Sequence, residues 1–355
     1  MALIEPAEPA ARARFGALFE ACPWAFIQQS TLWADVVAEI GPDRPLFLIA
    51  SEAGEDVAGL PLYLYSAAPG DILTSVPQPG PLGGVFVRDG LSAERREKAY
   101  AALLAEALAL AGRLHCIALS LITSPLHDDL ALYERHLEPT SVLENFTQLI
   151  PLEETVRRSG GQRNNLTRAR RFGFVVEECR DEAQLHDWYA LHQRRHEAVG
   201  AVPLDRRLIE NIFRVLLPRE KALLLLAKDG ERLAAGCLYI LHRKVLDVFA
   251  ISMDSDYAEH APNALLADRS QAWAKERGVA IYNWQSSPSR TSGVYAHKQQ
   301  WGSREAPYHF VTRLLCPPER ITALGADTVH AAYAGHYLVP FGFFETPGER
   351  RFRKH

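Results

Sequence analysis

One segment near residue 300 concentrates side chains that could do chemistry. It reads YNWQSSPSRTSGVYAHKQQWG, from Tyr282 to Gly302, and it follows a stretch whose pattern predicts a buried strand. Its hydroxyl, amide and guanidinium groups suit contacts with phosphates, and its Tyr and His rings suit stacking with a base. Trp284 and Trp301 bracket the segment and are expected to hold it against the sheet. A rigid polar segment after a core strand is a frequent way to build a site. The alternative is a solvated loop with a surface lysine.

A second segment, Arg157 to Arg171, carries six arginines and no acidic residue. A ligand rich in phosphate, such as tRNA or a nucleotide-linked molecule, would bind to such a surface. The alternative is a solvated helix face that pairs with acids elsewhere, such as Glu177 and Glu178. Arg163 and Asn164 are the more interesting candidates because a Gly-Gly pair shortly precedes them.

Other potential ligands and acid–base residues give weaker signals. His192 and His196 lie four apart on a predicted helix, but the Glu follows the second His and no third ligand is apparent, so the pattern does not favour a metal site. Asp247 and Asp254 lie on and just after a predicted strand. Either could deprotonate an amine, although capping or pairing with Arg is the favoured interpretation. The five cysteines form no C-x-x-C pair, which favours neither a zinc ribbon nor a disulfide framework.

Composition sets the broad class. The chain has 355 residues, of which 48% are hydrophobic and 23% charged, as expected of a globular protein with two similar-sized units. A net charge of −4 argues against a protein coated with nucleic acid, although local basic patches remain compatible with it. No apolar run approaches the roughly 18–20 residues of a spanning helix, and no signal peptide is recognisable. We expect a cytoplasmic protein without a membrane span.

The order of predicted elements is similar in the two halves. The first half has helices, two strands, a loop, a helix, a strand, a short helix and a strand. The second has a strand, two helices, three antiparallel strands, a helix, a strand, the polar segment and a last strand. The sequence therefore predicts two copies of one α/β unit, over residues 1–151 and 152–316. The remainder, 317–355, is predicted to be a helix and apolar tail that packs back on the core, with a dimer contact as the alternative.

This order resembles that of the GNAT acyltransferase fold, and two such units in tandem resemble the FemABX family of aminoacyl-tRNA-dependent peptidyltransferases and their FemAB-like or BioF2-like acetyltransferase relatives. Three stretches carry the resemblance: QRNNLTRARRFGFVVEE, DVFAISMDSDYAEHAPNALLADRSQAWAKERGVAIYNW and SSPSRTSGVYAHKQQWG. The last is similar to the family's hallmark segment. In that segment an aromatic residue or His is followed by a Lys, and an aromatic residue and a Gly come a few residues later. The resemblance implies an α+β (mixed α/β) fold of two tandem GNAT-like units, each a mostly antiparallel sheet flanked by helices.

The resemblance also implies an N-acyltransferase in which Lys298 is needed for transfer. In such a reaction an amine attacks an ester or thioester directly, and a fixed ammonium could stabilise the negative charge that develops or pair with a donor phosphate. The implied donor is aminoacyl-tRNA, the implied acceptor is a small-molecule or peptide amine, and no tightly bound cofactor or metal is expected. The candidate donor- and substrate-binding residues are Arg163, Asn164, Arg195, His196, Gln285, Ser286, Arg290, Tyr295 and His297.

The sequence departs from the family pattern at two places. An Arg that grips a nucleotide-linked acceptor in peptidoglycan-building members is replaced by Ala198, with Arg194 and Arg195 one turn earlier, which disfavours a UDP-sugar-pentapeptide acceptor. The turn YAEHAPNALL lacks the glycines that bind the pyrophosphate of CoA, and it contains Pro262. This disfavours acyl-CoA as the donor, although PGPLGG in the first copy could contribute. An acyl-CoA-dependent N-acyltransferase and a non-catalytic tRNA- or nucleotide-binding protein are the alternatives.

Overall fold

The computed structural model describes residues 2–4, 9–41, 43–75, 80, 82–336, 338–339 and 341–344. The chain divides into two compact units: unit 1 comprises Met1–Asn145 and Pro307–His355, and unit 2 comprises Phe146–Ala306. The predicted domain boundaries after residues 151 and 316 stay a prediction. The division into compact units falls after residues 145 and 306. None of the helices in the described ranges has the length and apolar character needed to cross a membrane.

The described helices and strands follow the predicted order, with additional elements that include a strand at residues 2–4 and a helix at residues 293–299. The helices are α1 (Pro9–Glu20), α2 (Thr31–Val37), α3 (Ala93–Arg113), α4 (Leu130–Leu137), α5 (Gly160–Phe172), α6 (Glu182–Ala198), α7 (Arg206–Val215), α8 (Pro262–Glu276), α9 (Gly293–Gln299), α10 (Pro318–Leu324) and α11 (Ala326–Ala332). The strands are β1 (Ala2–Ile4), β2 (Asp43–Glu52), β3 (Glu55–Tyr65), β4 (Ile72–Thr74), β5 (Phe86–Val87), β6 (Ala118–Ile122), β7 (Ser141–Pro151), β8 (Val175–Glu178), β9 (Ala222–Asp229), β10 (Arg232–His242), β11 (Val245–Met253), β12 (Ile281–Asn283) and β13 (Arg304–Leu314).

Each unit contains a mostly antiparallel sheet with one parallel pair. In unit 1 the strand order is β1-β2-β3-β4-β6-β13, β5 pairs with β3, and β4 and β6 are parallel. In unit 2 the order is β7-β12-β11-β10-β9-β8, with β11 and β12 parallel. Helices flank both sheets. The two units therefore have the predicted mixed α/β structure, each with a mostly antiparallel sheet flanked by helices.

The parallel pair of unit 2 is short and opens at one end. β11 and β12 pair only from Val245 opposite Ile281 to Asp247 opposite Asn283. β11 then continues along β10, with an irregularity in register between Val248 and Ala250, while the chain leaves the sheet after Asn283. The 282–302 segment therefore begins where the two strands stop pairing, which is where a sheet edge can admit a ligand.

The core of unit 2 requires one close approach between helix and sheet. The indole of Trp188, on α6, is fully buried and lies against Gly236 of β10. A Cβ at Gly236 would be 2.2 Å from Trp188 Cδ1, far inside van der Waals contact. Glycine is thus required here so that α6 can pack against the strand.

The last described helices pack within unit 1. Ile321 of α10 and Val329 of α11 belong to one buried cluster with Ile72 and Ile117. The hydroxyl of Tyr333 donates to the Gly70 carbonyl at 2.8 Å. Leu338 and Val339 of the apolar tail are buried in the same cluster, whereas Pro340 and residues 345–355 lie outside the described residues.

Helix α3 ends at Arg113, and His115 adopts the left-handed conformation just beyond it (φ 55°). The polar 282–302 segment, which the sequence pattern does not predict to be helical, contains α9. Ser292 begins that helix, because its side-chain oxygen accepts the Tyr295 N–H at 3.2 Å.

Candidate active site

Helix α9 places Lys298 in the interior of unit 2. Just past the end of the helix, Gly302 adopts a left-handed conformation (φ 80°), and a Cβ there would lie 2.2 Å from Val156 Cγ1. Trp301 is buried beside Trp284, with ring centroids 6.0 Å apart, and the Arg158 guanidinium lies 4.8 Å from the Trp301 ring. The tryptophans hold the segment in place as predicted.

Lys298 is a buried cation held by neutral groups. Its side chain is 6% exposed, and Nζ donates to the carbonyls of Gln285 at 2.9 Å and Ser286 at 2.7 Å. An ammonium has three N–H donors, and within the described ranges the third has no partner and no carboxylate lies within ion-pair distance. Burial lowers the pKa of Lys298 to about 8. It is therefore not the surface lysine of the alternative interpretation.

Gln285 combines backbone strain with a polar atom that has no partner. Its φ of 63° is left-handed, which is unfavourable for a residue with a Cβ and is often associated with functional sites. Its backbone N–H donates to Asn283 Oδ1 at 3.0 Å. Its side-chain Nε2 and the indole Nε1 of neighbouring Trp284 are both buried without a hydrogen-bond partner in the described structure. The segment thus contains several donors available to a ligand.

A buried hydrogen-bond chain fixes the start of this segment. Asn283 Nδ2 donates to Asp247 Oδ1 at 2.6 Å, and the hydroxyl of Thr147 donates to Asn283 Oδ1. All three side chains are almost fully buried. Because Asn283 also accepts the Gln285 N–H, Asp247 acts on the site through its hold on Asn283, in a structural role close to the pairing that the sequence favoured. Asp254, as predicted, caps a turn and pairs with Arg232 at 2.8 Å.

Gln148, which sequence reasoning missed, joins the two ends of the segment. Its Nε2 donates to the Tyr295 carbonyl and to Ser303 Oγ, both at 3.2 Å, and its Oε1 accepts from Ser287 Oγ at 2.9 Å. The only signal for it was an amide inside the otherwise apolar strand FTQLIPL. Buried amides are usually hydrogen-bonded, but the partners lie more than 130 residues away along the chain.

Arg290 and Tyr295 are held by an acid that the sequence did not reveal. Glu305 accepts from Arg290 Nη2 at 2.6 Å and from the Tyr295 hydroxyl at 3.1 Å. The Arg290 guanidinium also lies 4.6 Å from the Phe146 ring, which is edge-on to Tyr295. The two predicted ligand-binding side chains therefore already form one ion-paired aromatic cluster.

His297 lies next to Lys298 but on the exposed side of α9. Its Nδ1 is 3.2 Å from Gln162 Nε2, so the amide can donate to it, and its ring is edge-on to Trp284. Partial burial of the ring and the neighbouring Lys298 cation lower the pKa of His297, which favours the neutral imidazole. Gln162, buried on α5, is a further contact that sequence reasoning missed.

The arginine-rich segment is divided between paired and exposed side chains. Arg158 and Arg170 both pair with Asp268 of α8, at 2.6 and 2.8 Å, rather than with the predicted Glu177 or Glu178. Arg163 is exposed and donates to the Arg158 carbonyl at 2.8 Å. The other exposed arginines of the segment that form no ion pair in the described structure are Arg157, Arg168 and Arg171, and Asn164 is exposed beside them.

Arg195 and His196 lie in the last turn of α6, with contacts different from those of Lys298. His196 Nδ1 is 2.9 Å from the His192 carbonyl of its own helix, and Arg195 is exposed. His192 is buried, with Nδ1 2.9 Å from Ser252 Oγ and Nε2 accepting the Leu204 N–H. No group of metal-ligating side chains occurs in the ranges that the structure covers. The structure thus brings together Gln285, Ser286 and Lys298, but joins neither Arg195 nor His196 to them.

The two turns considered for CoA have different surroundings. At the start of α8, Ala261 is left-handed (φ 54°), Pro262 is the first helical residue, and the preceding His260 ring stacks on Phe172 at 4.2 Å. In the PGPLGG segment, Pro79 and Pro81 lie outside the described residues. Its last two glycines pack against backbone: a Cβ would be within 2.0 Å of the Ser75 or Ile122 carbonyl oxygen.

Comparison with known proteins agrees with this fold. Residues 156–299 match the family model of the acetyltransferase (GNAT) domain. The structure of FemX is similar at a TM-score of 0.69 and 16% identity, over 88% of this chain and 97% of that one. L-PGS from Bacillus licheniformis has a TM-score of 0.59 and 14% identity, over 92% and 98% of the two chains. A tandem GNAT protein from the clavulanic acid biosynthesis pathway has a TM-score of 0.53 and 14% identity, over 89% and 98%. No curated protein sequence matched.

The matched domain indicates an acyltransferase, because residues 156–299 match the acetyltransferase (GNAT) domain. The predicted fold of two tandem GNAT-like units is confirmed by the folds shared with FemX and with the tandem GNAT protein. Within that class, the predicted resemblance to the FemAB-like proteins is confirmed by the fold that the chain shares with FemX over nearly its whole length.

Proposed function

We propose that this acyltransferase moves an aminoacyl group from aminoacyl-tRNA to the amine of a small molecule or peptide, with Lys298 as its catalytic cation. The observation that carries the proposal is the environment of Lys298: a buried ammonium with two neutral acceptors, a third N–H without a partner in the described structure, and no counter-ion. Burial of an unpaired cation lowers the stability of the folded protein. Such a cation is typical of a site that binds an anion or stabilises negative charge that develops in a reaction.

In the proposed reaction, the neutral acceptor amine attacks the ester carbonyl of the donor. The C–N bond forms as charge builds on the carbonyl oxygen, and the C–O bond to the ribose then breaks. The amine nitrogen loses one proton, and the departing ribose oxygen gains one, so that an amide and a free hydroxyl result. Lys298 stabilises the developing charge, and Gln285 Nε2 and Trp284 Nε1 are further donors in the same segment. Asp247 and Asn283 keep this segment in position without touching the substrate. No covalent enzyme intermediate is needed.

Two features favour tRNA over CoA as the donor. A pyrophosphate cradle at the start of α8 would lack the N–H of Pro262 and would be crowded by the Cβ of Ala261. The exposed cations of α5, Arg163, Arg168 and Arg171, form a surface that phosphates could contact. The acyl-CoA alternative keeps one argument, since the family model that matches residues 156–299 is that of an acetyltransferase domain.

The test pairs donor binding with transfer. The purified protein would be titrated with mixed aminoacyl-tRNA, deacylated tRNA, acetyl-CoA and CoA at low and moderate salt, and each donor would then be offered a mixture of amines. The proposal predicts salt-sensitive binding of aminoacyl-tRNA and transfer of its aminoacyl group. Binding and transfer from acetyl-CoA alone would establish the CoA alternative, and tRNA binding without any transfer would favour the non-catalytic one.

A further inference from the structure

Unit 1 contains a cavity of about 270 Å³ at the end of β6. The residues that line it include Thr123, His127, Asp128, Asp129 and His309. The cavity follows the second strand of the parallel pair β4/β6 and precedes the short helix α4. In unit 2 the 282–302 segment occupies the corresponding place, after the second strand of β11/β12 and leading into α9.

Asp129 is the residue in this cavity whose environment indicates a ligand. Its side chain is 1% exposed, and Oδ2 accepts the Tyr100 hydroxyl at 2.7 Å. Its other carboxyl oxygen, Oδ1, is buried and has no hydrogen-bond partner in the described structure. Burial raises the pKa of Asp129 to about 7. A buried carboxyl oxygen without a donor is rare and unfavourable unless a further molecule supplies one.

The groups around Asp129 leave the cavity with acidic character. The Tyr133 hydroxyl is already occupied, since it donates to the Ile122 carbonyl and accepts the Val85 N–H. The charge of Arg96 acts to lower the pKa of Asp129, but Arg96 forms no ion pair with it in the described structure. Burial lowers the pKa of His127 to about 4, so this imidazole supplies no positive charge at neutral pH. The carboxylate of Asp128 is exposed, so water screens its charge and it contributes little to the cavity.

We propose that this cavity binds a small primary amine in its ammonium form, with the nitrogen donating to Asp129 Oδ1. The acidic lining selects a cation, and the volume lies below the roughly 300–1,000 Å³ of ordinary ligand pockets, which limits the ligand to a short aminoalkyl group. Unit 2 presents a cation at the corresponding place and unit 1 presents an acid, so the two units bind groups of opposite charge. The inference does not rest on the proposed donor or on transfer, although an amine is also the acceptor class of the proposed function.

The test is equilibrium binding of n-butylamine to the full-length protein at pH 8 by calorimetry, with n-butanol as the neutral probe of similar shape. The proposal predicts that n-butylamine binds and n-butanol does not. Asp129→Asn keeps an oxygen for Tyr100 but removes the charge, and it is expected to weaken binding at least about tenfold. The matched control Asp128→Asn is expected to change it by less than about threefold. Because no donor is present, failure here leaves the proposed function untouched.

A second readout covers the case in which Asp129→Asn does not fold. Carbon-13 NMR of the aspartate carboxyls in the wild-type protein should show the Asp129 pKa falling when n-butylamine saturates the cavity, because a bound ammonium favours the ionised carboxylate. Absence of amine binding, equal binding of n-butanol, a larger loss in Asp128→Asn, or an unshifted Asp129 resonance would each overturn the proposal.

Discussion

At the scale of single residues, burial of the Lys298 ammonium lowers the free energy of unfolding. Its folded pKa of about 8 lies below the ordinary value of 10.5, so burial disfavours the charged form. The cost is fully present below pH 8 and disappears as the pH rises from about 8 to 10.5. A difference of this size corresponds to about 3 kcal/mol. A lysine kept for stability would have been paired with an acid, as Lys228 is with Glu177.

Replacing Lys298 should therefore separate stability from activity. We expect Lys298→Met to reduce the rate of transfer by about 100-fold or more, because a preorganised charge is lost from the transition state. At pH 7 the same variant should be as stable as the wild type or up to about 3 kcal/mol more stable. Urea unfolding at pH 7 and pH 10 measures this, and the difference between the two proteins should shrink at the higher pH.

Lys244→Met is the matched control for this experiment. Lys244 also donates to a backbone carbonyl, that of Gly278 at 3.0 Å, but its side chain is half-exposed. Its removal should change neither stability nor transfer noticeably. A Lys298→Met protein that is clearly less stable than Lys244→Met at pH 7 would mean that Lys298 has a structural role.

Gln285 gives a second prediction of the same kind. Gln285→Gly relieves the left-handed backbone and deletes the unpartnered amide, so we expect equal or higher stability, by up to about 1 kcal/mol, together with slower transfer. Thermal unfolding and a transfer assay would measure the two effects. Gln285→Asn, which tolerates the left-handed conformation and keeps a shorter amide, is the control. Unchanged transfer by Gln285→Gly would remove Gln285 from the proposed mechanism.

At the scale of elements, the position of Lys298 depends on how α9 is closed. Gly302 has both a positive φ and no room for a Cβ beside Val156, whereas Gly278 has a positive φ of 70° and open space. Gly278→Ala should cost only the backbone strain, about 1 kcal/mol. Gly302→Ala should cost several kcal/mol in urea unfolding and should also reduce transfer, because α9 must shift. Equal effects of the two substitutions would contradict this account of the helix end.

The elements differ in how far the sequence could predict them. The β9–β11 meander was predictable because long apolar runs alternate with short polar turns such as DGER. Helix α9 was not, because its seven residues are too few to show a clear periodicity, and its position depends on the Ser292 cap and on the turn at Gly302. The partners of the site residues, Asp247 for Asn283 and Glu305 for Arg290, are brought near by the fold rather than by the sequence pattern.

At the scale of the whole molecule, two buried groups shape the dependence of stability on pH. Asp129 has a folded pKa of about 7, above its ordinary value of 3.8, so its contribution to stability falls as the pH rises from about 4 to 7 and stays low above that. The shift corresponds to about 4 kcal/mol. Asp129 could not be recognised from the sequence, because HDD before a short helix is typical of a solvated turn.

Comparison of the wild type with Asp129→Asn measures this contribution. We expect the variant to gain stability relative to the wild type as the pH rises from 4 to 7, with a constant difference from pH 7 to 8. Urea unfolding at pH 4, 5.5, 7 and 8 would follow it. A difference that is the same at pH 4 and pH 7 would show that the Asp129 carboxyl titrates normally in the folded protein.

The most direct measurement of the central claim is the single-turnover rate of aminoacyl transfer to an amine acceptor from mixed aminoacyl-tRNA, compared among the wild type, Lys298→Met and Lys244→Met. We expect transfer by the wild type and by Lys244→Met. The rate for Lys298→Met should be lower by at least about 100-fold, with donor affinity changed by only a few-fold. Transfer by Lys298→Met at the wild-type rate would contradict the claim.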